Sequence, residues 1–417
     1  MLPSIYVLKV NKTETGRKDI QMDSRAVLFC TVLILILGLV VDAAVTVRVF
    51  NVISYGAKPD GKTDNSKALL SAWDDACNWK GKATVWVPQG TYMVRAVKFI
   101  GWCEGPVTFK IQGLLKAPTD PSLFMGDTWL DFRYIKGLVL EGGGTLDGQG
   151  ACAWPYDDCS KNPHCPKLPA TVGFQFVSNA MVQNIHSIDS KNIHFDVFAC
   201  NDMVFNGVTL TAPGDSPNTD GIHIGLSKNI RISQSVIGTG DDCISMVSGC
   251  QNISVDNVSC GPGHGISIGS LGKSKNEFVS DIHIKNCSFS DTQNGVRIKT
   301  WAPSYPSKVS NVIFEDVVMT NVNNPIFIDQ QYCPVPPCSP QSTSSVEIRN
   351  VTFKKIRGTS SSKAAVTLNC SPTHPCQDVK LVDINLVYNG LDGSATSLCS
   401  NVHGNAVGQQ LPPGCLR

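Results

Sequence analysis

The segments NISVDNV (residues 252–258), DIHIKNC (281–287) and NVIFEDV (311–317) repeat one pattern along the chain. In each segment a polar residue is followed by apolar residues one and three positions later. Alternating apolar residues indicate β-strands with one buried face. The pattern begins at eight positions, at intervals of 23 to 34 residues: Asn179, Asp202, Asn229, Asn252, Asp281, Asn311, Ser345 and Asp378.

The spacing of these strands predicts the fold. Short strands at this period, with no helical pattern between them, are typical of a coiled solenoid. Leucine-rich repeats have a similar period but need a leucine-rich consensus that is missing here, and a propeller needs about 40 residues per blade. We therefore expect an all-β, single-domain, right-handed parallel β-helix with one repeat per coil. The Asn or Asp at the head of nearly every repeat suits a ladder of side chains that bind turn backbone.

A solenoid needs capped ends. Residues 64–79 (DNSKALLSAWDDACNW) place their apolar side chains at helical spacing, which predicts a short amphipathic capping helix at the N-terminal end. The buried face of this helix should contain Ala68, Leu69, Ala72, Trp73, Ala76 and Cys77. We expect the last repeats and the segment from Cys399 to Cys415 to close the other end.

An apolar leader precedes the repeats. Residues 26–41 are an uncharged apolar run, shorter than the roughly 20 residues of a membrane span, so a signal-peptide core is favoured over an uncleaved anchor. Residues 1–43 are predicted to be the leader and residues 44–417 the β-helix domain. Translation from Met22 would give a more usual signal sequence. The mature protein should then have no stable membrane association.

Composition excludes some functions and indicates a compartment. Charged residues make up 17% of the chain and the net charge is +1, so the clustered basic footprint of a nucleic-acid-binding protein is absent. Removal of Cys30 with the leader leaves 16 of the 17 cysteines, consistent with up to eight disulfides in a secreted protein. Five Asn-x-Ser/Thr triplets follow the leader and suit a secretory chain: Asn252, Asn257, Asn286, Asn350 and Asn369.

Each central repeat carries a second strand, and the unusual residues collect there. These strands begin at Asp220, Asp242, His264, Asn294 and Asn324, and all have apolar residues two and four positions later. The first three should therefore be equivalent positions in successive coils, about 4.8 Å apart. The outward positions of the same strands carry His223, Ser245, Ser267 and Arg297, with Lys299 two residues beyond Arg297.

These residues indicate acid–base chemistry on a sugar. Asp241 lies beside Asp242 and faces Asp220, and such crowding tends to raise the pKa of one carboxyl group. Glycoside hydrolysis uses one protonated and one ionised carboxyl group. Arg297 and Lys299 at neighbouring outward positions favour an anionic sugar. Metal binding is a weak alternative, because the acids lack Cys-x-x-Cys partners, and no metal or other cofactor is predicted.

At these residues the chain resembles the polygalacturonases, the pectin-degrading enzymes of glycoside hydrolase family 28. Four motifs carry the resemblance: Asn218-Thr219-Asp220, Gly240-Asp241-Asp242, Gly263-His264-Gly265 and Arg297-Ile298-Lys299. The likeness extends from about Val49 to Cys415. Residues 165–171 (CPKLPAT) and the closing cysteines are most similar to the pollen-type exopolygalacturonases of plants.

The resemblance implies a reaction and a role for each residue. Asp241 would be the general acid, and Asp220 and Asp242 would hold and activate water in an inverting displacement at an α-1,4-galacturonosidic bond. His264 would tune the acid. Arg297, Lys299 and, by a looser match, Tyr332 would bind the substrate.

The resemblance also implies the setting. The partner would be pectin or polygalacturonate outside the cell, in the wall, and the enzyme is expected to be a monomer.

Two other functions stay open at this point, and so does the choice between exo and endo action. A pectate lyase also uses a parallel β-helix but needs calcium and a basic arginine, and a non-catalytic pectin-binding protein would have lost an Asp or Arg. The insert of residues 152–165 (CAWPYDDCSKNPHC) is a candidate wall across the groove and favours exo over endo action.

Three disulfides are also expected. Cys243–Cys260 is supported by the family likeness, and it would brace Asp241 and Asp242. Cys370–Cys376 and Cys399–Cys415 are further suggestions.

Overall fold

A computed structural model describes residues 47–124, 126–157, 162, 165, 167–334, 338–339 and 341–416. These residues coil into the right-handed parallel β-helix that the repeats predict. The predicted leader, residues 1–43, and the alternative start at Met22 lie outside the described residues. Among the described residues, no helix combines the length and apolar character that a membrane crossing requires.

Among the described residues all strand pairings are parallel, and the strands form two sheets. Eleven strands form one sheet: Val97–Ile100, Thr128–Arg133, Ala170–Gln175, Phe195–Phe198, Ile222–Gly225, Ile244–Met246, Ile266–Leu271, Asn294–Trp301, Asn324–Tyr332, Ala364–Asn369 and Thr396–Ser400. We refer to it as the 11-stranded sheet.

The other sheet wraps the remaining sides of each coil and has 20 strands among the described residues. They are Arg48–Asn51, Asp60–Asp64, Ala83–Val87, Thr91–Met93, Val107–Ile111, Leu114–Lys116, Leu138–Glu141, Thr145–Asp147, Ser178–Gln183, His186–Ile188, Asn201–Asn206, Thr209–Thr211, Lys228–Gly238, Cys250–Cys260, Phe278–Lys285, Ser288–Ser290, Ser307–Val322, Val346–Ser360, Cys376–Tyr388 and Val402–Leu411.

The core fills the inside of the coils. Alternate residues of each strand point inward, so aliphatic side chains stack from coil to coil, as Ile222, Ile244 and Ile266 do. Near the N-terminal end the stack is aromatic: the rings of Phe99 and Phe132 lie 4.8 Å apart. Because inward positions are occupied by apolar groups, the alternate, outward positions of the 11-stranded sheet are free to carry polar chemistry.

The N-terminal cap is confirmed, with shorter bounds than the sequence suggested. The helix α1 spans Ser66–Cys77, and all six apolar residues expected on its inner face are buried. Trp73 packs on Phe99 at 5.4 Å and donates from its indole to the carbonyl of Ile100. The helix therefore covers the apolar end of the first coils. Short 3₁₀ turns span Val52–Tyr55, Pro121–Leu123, Gly150–Cys152 and Trp154–Tyr156.

A polar ladder runs along the repeat heads, but its hydrogen bonds join side chains of neighbouring coils, whereas the sequence had suggested bonds to turn backbone. Asn311 donates its amide to Asp281 and accepts from Asn350, at 2.8 and 2.9 Å. Seven of the eight predicted heads adopt positive φ angles, a region that Asn and Asp tolerate better than most residues. The exception is Ser345, and its choice as a head was wrong, because the strand register aligns Asn311 with Asn350.

The three expected disulfides are confirmed, but the cysteine count overstates the total. Cys243–Cys260, Cys370–Cys376 and Cys399–Cys415 are bonded, and the pairs Cys77–Cys103 and Cys333–Cys338 were not predicted. Among the described cysteines, four are free thiols: Cys152, Cys200, Cys250 and Cys287. The last three are buried, and burial raises the pKa of each thiol to about 12. Eight disulfides therefore do not form.

Candidate active site

The strand register brings the predicted acids onto one wall. Ile222, Ile244 and Ile266 pair in successive strands, so Asp220, Asp242 and His264, each two residues earlier, are equivalent positions as the sequence indicated. The outward column one position after these isoleucines runs through His223, Ser245, Ser267 and Arg297. Four consecutive coils therefore contribute side chains to one outward-facing site.

The turn before the Ile244–Met246 strand is held in place by close backbone contacts. The amide of Gly240 donates to the Thr219 hydroxyl at 2.8 Å. A Cβ at Gly240 would lie 1.9 Å from the carbonyl oxygen of Ser216, so no larger residue fits. The Cys243–Cys260 disulfide ties the other side of this turn to the 20-stranded sheet. Asp241 and Asp242 are therefore presented by a braced turn.

Asp220 is held by a chain of hydrogen bonds. The Ser245 hydroxyl donates to Oδ2 of Asp220 at 2.8 Å, so Nδ1 of His223, 2.7 Å from the same hydroxyl, must donate to it. Burial and the neighbouring charge of Asp241 raise the pKa of Asp220. Burial opposes protonation of His223, but the nearby carboxylates of Asp220, Asp196 and Asp242 outweigh it and raise the His223 pKa.

Asp241 is the most accessible of the three acids, with 23% of its side chain exposed. Its Oδ1 accepts from Nδ1 of His264 at 3.0 Å and from the amide of Asp242 at 2.7 Å. Burial would raise the pKa of Asp241, but the hydrogen bond from His264 and the charges of His264 and Lys299 outweigh it and lower the pKa. Between these two acids the proton is therefore held more readily by Asp220 than by Asp241.

Asp242 is clamped by two cations. Arg297 Nη2 donates to Oδ1 and Lys299 Nζ donates to Oδ2, both at 2.8 Å, and Ser267 also donates to Oδ1 at 2.7 Å. All three side chains of the ion pairs are buried, with 2 to 9% exposed. The charges of Arg297 and Lys299 are therefore shared between Asp242 and whatever binds above them. This contact was not expected from the sequence, which assigned both cations to the substrate alone.

Tyr332 lies beside the cation pair. Lys299 Nζ is 5.1 Å from the centre of its ring, a cation–π distance. The ring also packs edge-on against Trp301 at 5.3 Å. Tyr332 therefore limits where the Lys299 ammonium can move.

A metal ion fits poorly at this cluster. Donor atoms of Asp241, Asp242 and His264 lie within 4.8 Å of one another. However, both oxygens of Asp242 already accept from Arg297 and Lys299, whose charges would repel a divalent cation at the same place. We therefore derive no step through a metal.

Asp196, which flanks the site on its N-terminal side, was not predicted from the sequence. Asp196 pairs in register with His223, one coil before Asp220. Burial and the neighbouring carboxylates of Asp127, Asp220 and Asp131 raise its pKa, while His223 acts in the opposite direction. Extending the outward column one coil toward the N-terminus would have found it, since residues 195 and 197 show the same apolar alternation.

The described part of the predicted insert reaches the site. Asp157 accepts from the amide of Asn218, two residues before Asp220, at 2.7 Å. Both residues line a cavity of about 290 Å³ that also contains Asp196. Most of the rest of residues 152–165 lies outside the described residues.

The comparisons with known proteins agree with this geometry. The model of glycosyl hydrolases family 28 matches residues 77–409, and that of rhamnogalacturonase A/epimerase, pectate lyase-like, matches residues 49–98. An exopolygalacturonase of Platanus acerifolia is 49% identical over 87% of this chain and 97% of its own length. A polygalacturonase of Gossypium barbadense is 45% identical over 88% of this chain and 90% of its own.

Solved structures share the fold. The endo-xylogalacturonan hydrolase of Aspergillus tubingensis superposes with a TM-score of 0.72 at 22% identity, covering 87% of this chain and 100% of its own. At that identity the likeness supports the architecture alone. The sequence relatives and the family match together show that the chain belongs to glycosyl hydrolase family 28.

Proposed function

We propose that this glycoside hydrolase cleaves α-1,4-galacturonosidic bonds of polygalacturonate and releases galacturonate from chain ends. The observation that carries the proposal is one wall on which three carboxyl groups meet two buried cations. The carboxyl groups supply acid and base for hydrolysis. The cations suit a substrate with a carboxylate on each unit. The Platanus acerifolia and Gossypium barbadense relatives carry names for this activity.

In the proposed reaction Asp241 donates a proton to the leaving glycosidic oxygen. Its greater exposure suits that task. Water held by Asp220 and Asp242 attacks the anomeric carbon from the opposite face and gives up a proton to one of these carboxylates. The bond between the anomeric carbon and the leaving oxygen breaks as the new bond to water forms, with inversion. His264 stays hydrogen-bonded to Asp241 and adjusts its charge.

Substrate binding should make Asp241 a better acid. The hydrogen bond from His264 and the charges of His264 and Lys299 hold its pKa low. A galacturonate carboxylate near Arg297 and Lys299 would share their charge, because both groups can donate to two acceptors. The pull of Lys299 on Asp241 would then weaken and its pKa would rise. The same sharing would loosen the clamp on Asp242 and leave its carboxylate more available to water.

Two observations favour exo over endo action. The described part of the insert, through Asp157, contacts Asn218 at the N-terminal edge of the site. The Platanus acerifolia relative is named an exopolygalacturonase. An endo-polygalacturonase with the same residues is the second candidate.

We further propose a secreted, monomeric protein that acts in the cell wall. The apolar run of residues 26–41 would direct secretion. Disulfides such as Cys243–Cys260 and Cys399–Cys415 are typical of oxidising compartments.

Digestion of polygalacturonate tests this proposal when viscosity and product size are followed together. Exo action releases galacturonate monomer with little loss of viscosity, whereas a fast drop in viscosity would mean endo action. Unsaturated products that absorb in the ultraviolet and vanish with a chelator would indicate a lyase instead. Binding of polygalacturonate without any cleavage would favour a non-catalytic wall protein.

A further inference from the structure

The cavity on the N-terminal side of the site is large enough for a sugar unit, but its negative charge is unfavourable for an anionic sugar such as galacturonate. Its volume of about 290 Å³ is near the lower end of ordinary ligand cavities, roughly 300 Å³. Among the described residues its polar lining is Asp127, Asp157, Lys167, Asn192, Asp196 and Asn218. Three carboxylates therefore face one ammonium group.

A further carboxylate stands behind the cavity in the same outward column. Asp131, Gly173, Asp196 and His223 pair in register in four successive strands. Lys98, the in-register neighbour of Asp131, adds a nearby positive charge, and Oδ2 of the buried Asp131 accepts from Arg133 at 2.6 Å. Its Oδ1 has no hydrogen-bond partner among the described residues and lies 3.5 Å from where a Cβ of Gly173 would be. Because Gly173 has no side chain, this oxygen faces along the column toward Asp196.

The two ends of the groove therefore differ in sign. On the C-terminal side of Asp220 the buried cations Arg297 and Lys299 face the substrate. On the N-terminal side the partly buried Asp196 and the exposed Asp127 come first. Like charges at a few ångströms repel strongly in a site that is partly shielded from water. A polymer with one carboxylate per unit would gain contacts on the first side and lose them on the second.

We propose that Asp127, Asp157 and Asp196 form an electrostatic stop that admits one terminal galacturonate beside Asp220 and rejects a second anionic unit beyond it. The inference rests on the proposed function. The volume of the cavity alone would admit another sugar unit, so charge and not space accounts for the exo mode. The terminal unit presents hydroxyl groups at the mouth of the cavity, and carboxylates accept hydrogen bonds from hydroxyls well. An internal unit would present the next carboxylate there instead.

The direct test neutralises the stop without enlarging the cavity. The double variant Asp127→Asn/Asp196→Asn keeps side-chain size and leaves the Asp157–Asn218 contact in place. At equal numbers of bonds cleaved in polygalacturonate, the variant should lose at least about three times more viscosity than the wild type, because internal units can now bind. If the double variant fails to fold, Asp127→Asn alone, at an exposed position, should also raise the ratio of viscosity loss to bonds cleaved.

A matched control separates the stop from a change in net charge. The variant Asp74→Asn/Glu347→Gln removes one charge from the capping helix and one from the 20-stranded sheet. Its ratio of viscosity loss to bonds cleaved should equal that of the wild type. Identical viscosity curves for wild type and Asp127→Asn/Asp196→Asn would overturn the inference. A wild type that cleaves mainly internal bonds at low salt would also overturn it, while leaving the hydrolase assignment standing. A wild type that cleaves nothing would instead overturn the proposed function.

Salt distinguishes a charge-based stop from a steric wall. The Debye length falls from about 10 Å at 0.1 M to about 3 Å at 1 M salt. The wild type should therefore cleave more internal bonds as salt rises, and Asp127→Asn/Asp196→Asn should respond less. A wild-type ratio of viscosity loss to bonds cleaved that does not change with salt would show that shape, not charge, blocks the groove.

Discussion

At the scale of single residues, the acids, His264 and the cations were found from motifs and strand periodicity, but their contacts were not. Periodicity gives the face of a strand that a side chain occupies and not the partner that it chooses. The bonds from Arg297 and Lys299 to Asp242 depend on side-chain reach across two coils. The proton preference of Asp220 over Asp241 likewise depends on burial and on His264, which no local pattern records.

The hydrogen-bond chain from His223 through Ser245 to Asp220 leads to a prediction about pH. His223 lowers the pKa of Asp220 against the raising effects of burial and Asp241. His223→Asn keeps a donor near the position of Nδ1 but removes the charge, so the Asp220 pKa should rise. Because the proposed role of Asp220 needs an ionised carboxylate, the acidic limb of the kcat/KM profile should move to higher pH.

The exposed His186 provides the control for this prediction, since His186→Asn removes a histidine from the 20-stranded sheet and should leave the profile unchanged. A profile for His223→Asn that keeps its acidic limb in place, with only the maximum reduced, would contradict the proposed coupling.

At the scale of secondary-structure elements, the repeated strand pattern predicted the parallel β-helix and the helical spacing of residues 64–79 predicted the cap, but the strand pattern misplaced one repeat head. Ser345 and Asn350 both precede apolar residues at the required spacing, because the long strand Val346–Ser360 buries residues 346 and 348 as well as residues 351 and 353. Only the tertiary pairing of Val312 with Val351 identifies Asn350 as the head.

The polar ladder predicts an ordered pair of stability losses at Asn311. Its φ of 59° disfavours residues with a Cβ, and its side chain makes ladder bonds to Asp281 and Asn350. Asn311→Gly keeps the backbone angle but loses the bonds, at a cost of about 1 kcal/mol. Asn311→Ala also adds backbone strain of about 1 kcal/mol. Thermal unfolding should show the wild type to be the most stable, followed by the Gly variant and then the Ala variant. An Ala variant as stable as the Gly variant would show that the backbone angle carries no strain.

At the scale of the whole molecule, the fold could be predicted from repeats, whereas the distribution of charge along the groove could not. Asp131 and Asp196 come from coils before the motif region, and only the stacking of coils brings them into line with His223. The leader and most of the insert lie outside the described residues, so their roles stay predictions.

Substrate charge gives the matching prediction for the other end of the groove. Methyl esterification removes the carboxylate that Arg297 and Lys299 are proposed to bind, and bonds to charged groups contribute about 1.5–3 kcal/mol. The wild-type kcat/KM should therefore be at least about tenfold higher on de-esterified polygalacturonate than on highly methylated pectin. Arg297→Ala does not test recognition of the substrate carboxylate cleanly, because it also removes the hydrogen bond from Arg297 to Asp242, whichever substrate is used. Equal kcat/KM on the two polymers would contradict the anionic-substrate argument.

The central claim is that Asp241 and its neighbours hydrolyse polygalacturonate from the chain end. The most direct measurement is the rate of galacturonate monomer release from polygalacturonate by the wild type and by Asp241→Asn, with folding checked by thermal unfolding. General acid catalysis contributes 10²- to 10⁴-fold, so the folded variant should release monomer at least about a hundredfold more slowly. Near-normal release by folded Asp241→Asn, or no monomer from the wild type, would contradict the account.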